Sequence, residues 1–160
     1  MKIKVLFICL GNICRSPAAE EILSSLVYRR HCSADFEIDS AGTYGGHAGN
    51  LPDPRMCRIA EQRGYILLHR ARQLREFDFY YFDYMIVMDD MNYEAVHRLA
   101  PSHELANKIY RMADFCMEHH HCTHIPDPYS EGDGAFERVL DLLEEGCRGL
   151  LKVLTDPVQN

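Results

Sequence analysis

No apolar stretch in this chain of 160 residues approaches the length needed to cross a bilayer, so no membrane partner is expected. The N-terminus carries neither an apolar segment with a small-residue cleavage site nor a twin-arginine signal, and a cytoplasmic location is expected. Basic charge is also in short supply. The 17 Lys and Arg, 13 of them Arg, face 24 Asp and Glu, and the net charge of −7 disfavours a nucleic-acid partner. The 7 cysteines are an odd number without the spacing of a small disulfide framework, which points to free thiols in a reducing compartment. There is no internal repeat and no linker. A chain of this length and 47% hydrophobic content is expected to form one domain over residues 1–160.

The informative stretch is Cys9-Leu10-Gly11-Asn12-Ile13-Cys14-Arg15-Ser16. Residues 1–8 (MKIKVLFI) are apolar at both side-chain parities from Val5 onward, the pattern of a strand buried on both faces of a parallel sheet. After the loop, Ser16 is placed to N-cap a helix and Pro17 to occupy its first position, with Ala19, Ile22, Leu23, Leu26 and Val27 on one face. A strand feeding a helix through such a turn aims backbone N–H groups and the positive helix end at one point, which suits a phosphate-sized oxyanion. Cys9 and Arg15 bracket that point. A thiolate nucleophile is favoured by a helix N-terminus, a guanidinium and a hydroxyl donor such as Ser16, and an Arg fork matches two phosphoryl oxygens. The bland alternative is a buried structural Cys at a strand end with a surface Arg.

Residues 36–41 (FEIDSA) alternate and read as a second strand, and residues 44–54 (YGGHAGNLPDP) as a surface loop beside the first strand's carboxyl end. A helix running from Asp53 through Met56, Ile59, Ala60 and Arg63 should stop at Gly64. Residues 84–88 read as a third strand, Asp89 as the cap of a helix over 93–99, residues 106–112 as a short fourth strand, and Asp133 as the cap of a long last helix. Strands alternating with helices predict an α/β, doubly wound domain, a four-stranded parallel sheet with helices on both faces. Residues 116–124 (CMEHHHCTH) have a metal site's composition, but three consecutive histidines cannot converge on one ion, so no metal is expected. In Ile125-Pro126-Asp127-Pro128-Tyr129, two prolines stiffen the backbone around one carboxylate. Alone, this reads first as a Pro-rich turn with a capping Asp; joined to the Cys9 loop in one chain, it reads as a carboxylate held at a fixed reach.

CLGNICRSP followed by Ala18-Ala19-Glu20 resembles the low-molecular-weight protein tyrosine phosphatase family almost residue for residue, and the likeness runs along the whole chain. The resemblance implies Cys9 as nucleophile, Arg15 and the loop Leu10, Gly11, Asn12, Ile13, Cys14 and Ser16 as the phosphate binder, and Asp127 as general acid beside Tyr129. It further implies that Ser40 and His69 support the loop, Ser40 through Asn12, and that Asp89 supports the acid's neighbourhood. By themselves these read as a turn-capping Ser, a solvated His and an N-cap. The expected substrates are phosphotyrosine proteins or small aryl phosphates, with inorganic phosphate as product and inhibitor. No cofactor is called for, because Arg15 and the helix N-terminus supply the positive field. A monomer or weak dimer is expected.

Two departures bear on the pocket. Family members commonly carry a Trp in the loop after the second strand, and this chain has no Trp; counting back from Asp53 puts Gly46 at that place, leaving Tyr44 or His47 as the wall. Ser130 stands where a second Tyr is common. Related phosphoarginine phosphatases carry Thr at the position of Ile13, so Ile13 favours phosphotyrosine. Arsenate reduction, which shares the oxyanion loop, needs resolving cysteines after mid-chain, and none lies between Cys57 and Cys116. A redox-regulated phosphotyrosine-binding module is the rival of another class. Its Cys9–Cys14 pair is better read as a reversible disulfide protecting the nucleophile.

Overall fold

The computed structural model describes residues 1–118 and 121–156, so His119 and His120 of the histidine-rich segment lie outside the described residues. In chain order the elements are β1 (Ile3–Cys9), α1 (Arg15–Arg29), β2 (Phe36–Gly42), α2 (Pro54–Gln62), α3 (Glu76–Tyr81), β3 (Tyr84–Val87), α4 (Asp90–Leu99), α5 (His103–Ala106), β4 (Ile109–Arg111) and α6 (Asp133–Thr155). The strands form one parallel sheet in the order β2-β1-β3-β4, with Phe7 opposite Ser40 on one side and Ile86 on the other.

Alternation along β1 builds both layers. Val5, Phe7 and Cys9 face the core shared with α1, α2 and α6, whereas Leu6 and Ile8 face Phe79 of α3 and Val96 of α4. Each fully buried side chain of this size contributes about 1.5–3 kcal/mol relative to exposure. The doubly wound parallel sheet is therefore present as expected. Its order places the carboxyl end of β1 at a topological switch point, where neighbouring connections part and a crevice opens.

Several boundaries differ from the sequence reading. Ser16 does not cap α1: the N-cap position is Cys14, no side chain caps the helix, and Pro17 is its third residue. The Ser16 hydroxyl is engaged elsewhere, as the site shows. The fourth strand shrinks to Ile109–Arg111, because Ser102 accepts from the Leu105 amide at 3.1 Å and starts α5 upstream of it. Gly132, not Asp133, is the N-cap of α6; Asp133 is its first residue and pairs with Arg58 at 3.1 Å. Helix α3 has no apolar period to announce it; Asp78 starts it by accepting from the Arg75 amide at 2.8 Å. Gly64 ends α2 with φ +89°, and Asp89 caps α4 by accepting from the Asn92 amide at 2.8 Å, both as expected.

Gly149 marks the closest approach of α6 to the chain after β4. A Cβ there would lie 2.1 Å from the Phe115 carbonyl oxygen. Gly→Ala inside a free helix stabilises by about 1 kcal/mol. Gly149→Ala is expected to lower the unfolding temperature instead, as read by circular dichroism.

Candidate active site

The loop between β1 and α1 is built around Asn12, whose backbone is left-handed at φ 58° and whose side chain is fully buried. Asn tolerates that conformation better than most residues. Its Nδ2 donates to Ser16 Oγ at 2.7 Å and to Ser40 Oγ at 3.0 Å. Its Oδ1 accepts from the Arg72 amide and from His69 Nε2, both at 2.9 Å. Because Oδ1 is an acceptor only, His69 carries a proton on Nε2. Three separate segments thus hold one side chain.

With Asn12 donating to Ser16, the Ser16 hydroxyl is free to direct its own hydrogen to Cys9 Sγ, 3.0 Å away. The first-turn N–H groups of α1 have no intrahelical acceptor, and with no side chain capping them they remain available to an anion. Arg15 is 2% exposed, and its Nη1 donates to Asp89 Oδ2 at 2.7 Å and to the Ile125 carbonyl at 2.9 Å. Its Nη2 lies 3.6 Å from Asp127 Oδ2. Burial works against its charge, but the Cys9 sulfur, Asp89 and Asp127 outweigh it and hold Arg15 above the ordinary arginine range. Asp89 serves two elements, one oxygen capping α4 and the other gripping Arg15.

A cavity of about 180 Å³ opens over Cys9, lined by Leu10, Gly11, Ile13, Cys14 and Arg15, with Asp127 and Tyr129 on one side and Tyr44 and His47 on the other. Cys14 shares this cavity, yet burial first, then Asp53 and Cys9, push its thiol far above the usual range, so it stays protonated. Tyr44 and His47 meet edge to face at 5.8 Å and together supply the wall. A Cβ on Gly46 would fall 2.1 Å from Tyr44 Oη, so the tyrosine folds across the glycine.

The residues the family resemblance singled out meet here: Cys9, Leu10, Gly11, Ile13, Cys14, Arg15, Asp127 and Tyr129 around the cavity, Asn12, Ser16, Ser40 and His69 in the buried network of the loop, and Asp89 bonded to Arg15. The sequence reading missed three others. Glu20 accepts from Ser40 Oγ at 2.7 Å and faces His69 Nδ1 at 3.2 Å; Arg72 ties Asp39 to Asp78; Arg55 reaches the Tyr129 carbonyl at 2.8 Å. Glu20 was visible only as the end of the Ala-Ala-Glu run, and Arg55 only as the end of Asp53-Pro54-Arg55. Among the described residues, Glu20, Asp39 and His69 are the one group whose ligand atoms come close enough for a cation, within 4.8 Å. In this structure they are engaged in the hydrogen bonds under the loop.

Known proteins resemble this chain in sequence and in fold. Residues 4–160 match the model of the family described as low molecular weight phosphotyrosine protein phosphatase. A Drosophila melanogaster low molecular weight phosphotyrosine protein phosphatase is 39% identical over 150 residues, 93% of this chain and 95% of its own. A protein tyrosine phosphatase structure from Entamoeba histolytica superposes with a TM-score of 0.92 at 40% identity, covering 96% of this chain and 97% of that one. A Drosophila arginine phosphatase structure superposes with a TM-score of 0.89 at 32% identity, covering 98% and 99%.

Burial first, and the neighbouring Asp39 and Glu21, push Glu20 from the usual 4.5 up to about 7. Between those values the folded protein holds a proton that the unfolded chain has released, so folding stability declines as pH rises across the window and levels off above it. Glu20→Gln is expected to flatten that decline. Urea denaturation of both proteins from below pH 4.5 to above pH 7 measures it, and parallel curves would show that Glu20 does not titrate there.

Proposed function

Because the chain belongs to the low molecular weight phosphotyrosine protein phosphatase family, we propose that Cys9, Arg15 and Asp127 hydrolyse phosphotyrosine through a phosphocysteine intermediate. The chain is a cysteine-dependent protein tyrosine phosphatase. The observation that carries the assignment of roles is the Cys9 sulfur, 3.0 Å from Ser16 Oγ, in one cavity with Arg15 and Asp127, whose side chains lie 3.6 Å apart.

The Cys9 thiolate attacks phosphorus in line with the departing oxygen, forming the S–P bond as the P–O bond to the phenol breaks. Arg15 and the loop amides of residues 10–16 hold the equatorial oxygens as charge develops on them. Asp127 gives its proton to the phenolate, then takes one from the water that cleaves S–P and releases inorganic phosphate. Ser16 donates to the sulfur both as nucleophile and as leaving group. Leu10, Gly11, Ile13 and Tyr129 line a cleft of a depth and apolarity that suit an aryl ester. Phosphotyrosine proteins or small aryl phosphates are the substrates, and phosphate is product and inhibitor. One domain over 1–160, acting as a monomer or weak dimer in the cytoplasm without cofactor, completes the reading. Cys14 is the redox partner of Cys9, closing a reversible disulfide under peroxide.

Cys9→Ser is expected to abolish turnover. Asp127→Ala should reduce kcat/KM by about 10²–10⁴-fold for esters of poorly acidic phenols, and far less for p-nitrophenyl phosphate, whose leaving group needs little protonation. Equal losses across leaving groups would remove Asp127 from the acid role.

A second reading has a specific observation behind it, the likeness to a Drosophila arginine phosphatase. Ile13 on the cavity wall favours the aryl substrate. Rates on phosphotyrosine and phosphoarginine peptides side by side decide between them; the former is expected to be hydrolysed faster, and the reverse order would assign the chain to phosphoarginine.

A further inference from the structure

The acid Asp127 stands on an exposed segment without regular secondary structure, its side chain 41% exposed. General acid catalysis needs that carboxyl within hydrogen-bond reach of the departing oxygen, and small displacements are costly in rate. Something must fix the segment: Met88 and Arg15 hold it at Ile125, ahead of the acid, and beyond Asp127 the side-chain bonds to its backbone come from one residue in a different part of the chain.

Arg55, in the first turn of α2, donates from Nη2 to the Tyr129 carbonyl at 2.8 Å and from Nη1 to the Glu131 carbonyl at 3.5 Å. Its guanidinium lies 5.5 Å from the Tyr129 ring centroid and 4.7 Å from that of Phe136. The Tyr129 amide in turn donates to Asp127 Oδ1 at 3.1 Å. Arg55 is itself held. Asp53, 8% exposed, accepts from Arg55 Nη2 at 2.8 Å and from Nε at 3.1 Å, and these bonds hold the Asp53 carboxyl below the usual carboxylate range. The Asp53 amide donates to the Ile13 carbonyl of the phosphate loop at 2.8 Å.

We propose that Arg55 is a positioning residue that struts the acid segment against the phosphate loop, through Asp53 to Ile13 on one side and through Tyr129 to Asp127 on the other. This rests on the phosphatase reading above. The strut fixes the distance between the group that attacks phosphorus and the group that protonates the leaving oxygen, without touching substrate. A planar fork can bond a carboxylate and a carbonyl at once while stacking on aromatic faces, so Lys cannot replace it in full.

The test measures kcat/KM of the wild type, Arg55→Gln, Arg55→Lys, Asp127→Ala and the Arg55→Gln/Asp127→Ala double variant, in the full chain, on aryl phosphates with phenols of graded acidity. Thermal unfolding is followed in parallel. Arg55→Gln is expected to lose about tenfold or more on phenyl phosphate and under about threefold on p-nitrophenyl phosphate, within the range ascribed to a mispositioned acid. Arg55→Lys should show the same skew at smaller amplitude, and carries the test if Arg55→Gln does not fold. In the double variant the Arg55 change should add nothing to the loss from Asp127→Ala, since both act through one proton transfer. Losses equal across leaving groups and tracking a lowered unfolding temperature would reduce Arg55 to a structural role and overturn the proposal. So would a leaving-group dependence identical to wild type. If the wild type hydrolyses none of the esters, the phosphatase reading itself fails; if it hydrolyses them with an Asp127-dependent skew that Arg55 does not alter, only the strut fails.

Discussion

The site depends on one residue held in an unusual conformation. A ring of amides around an anion requires the chain to turn more tightly between β1 and α1 than right-handed backbone allows, and Asn12 takes the left-handed position that closes it. That conformation persists because the Asn12 side chain is bonded on both its amide faces, to Ser16 and Ser40 below and to His69 and Arg72 beside it. Those partners come from α1, β2 and the chain before α3, so the turn is over-determined by tertiary structure rather than by local preference. The same bonds orient the Ser16 hydroxyl toward Cys9. Catalytic geometry and backbone strain are two aspects of one network.

A second constraint is the buried charge of Arg15. A guanidinium at 2% exposure needs carboxylates, and they arrive from beyond β3. Asp89 follows β3 directly and grips Arg15 with one oxygen, while Asp127 approaches from the segment ahead of α6. The strand order places β3 next to β1, so these groups converge at the switch point although they are about seventy to a hundred and ten residues from Arg15 in sequence. Burying such a charge would be strongly unfavourable without that company.

Much of this was legible in the sequence, for physical reasons that also explain where legibility ended. Apolar periodicity located β1, β2, β3 and the packing stripe of α6, because burial on sheet faces and helix stripes leaves a regular trace. Cys9, Arg15 and Ser16 were legible because chemistry demands those residue types within a short span, whereas Asp127 between its prolines was legible only together with that loop and the family resemblance. What was not legible is tertiary in origin. Glu20 and Arg72 look like ordinary surface residues until β2 and His69 are brought beneath the loop, and Arg55 looks like a helix-start cation until α6 places Phe136 under it. The misassigned cap at Ser16 is the most instructive case. Local preference favours Ser as an N-cap, but its hydroxyl was claimed by Asn12 and Cys9, and a side chain curled over the helix end would have filled the space an oxyanion needs.

The bare N-terminus of α1 carries a further implication. A capped helix would be more stable by about 1 kcal/mol, so the fold is deliberately weaker here than its own residues permit. Donors that a serine or aspartate would have quenched wait for a visitor, and docking of any tetrahedral oxyanion completes the helix as a structural act before any bond is broken. Occupancy and cohesion are then linked: the oxyanion that fills the loop also braces the polypeptide around it.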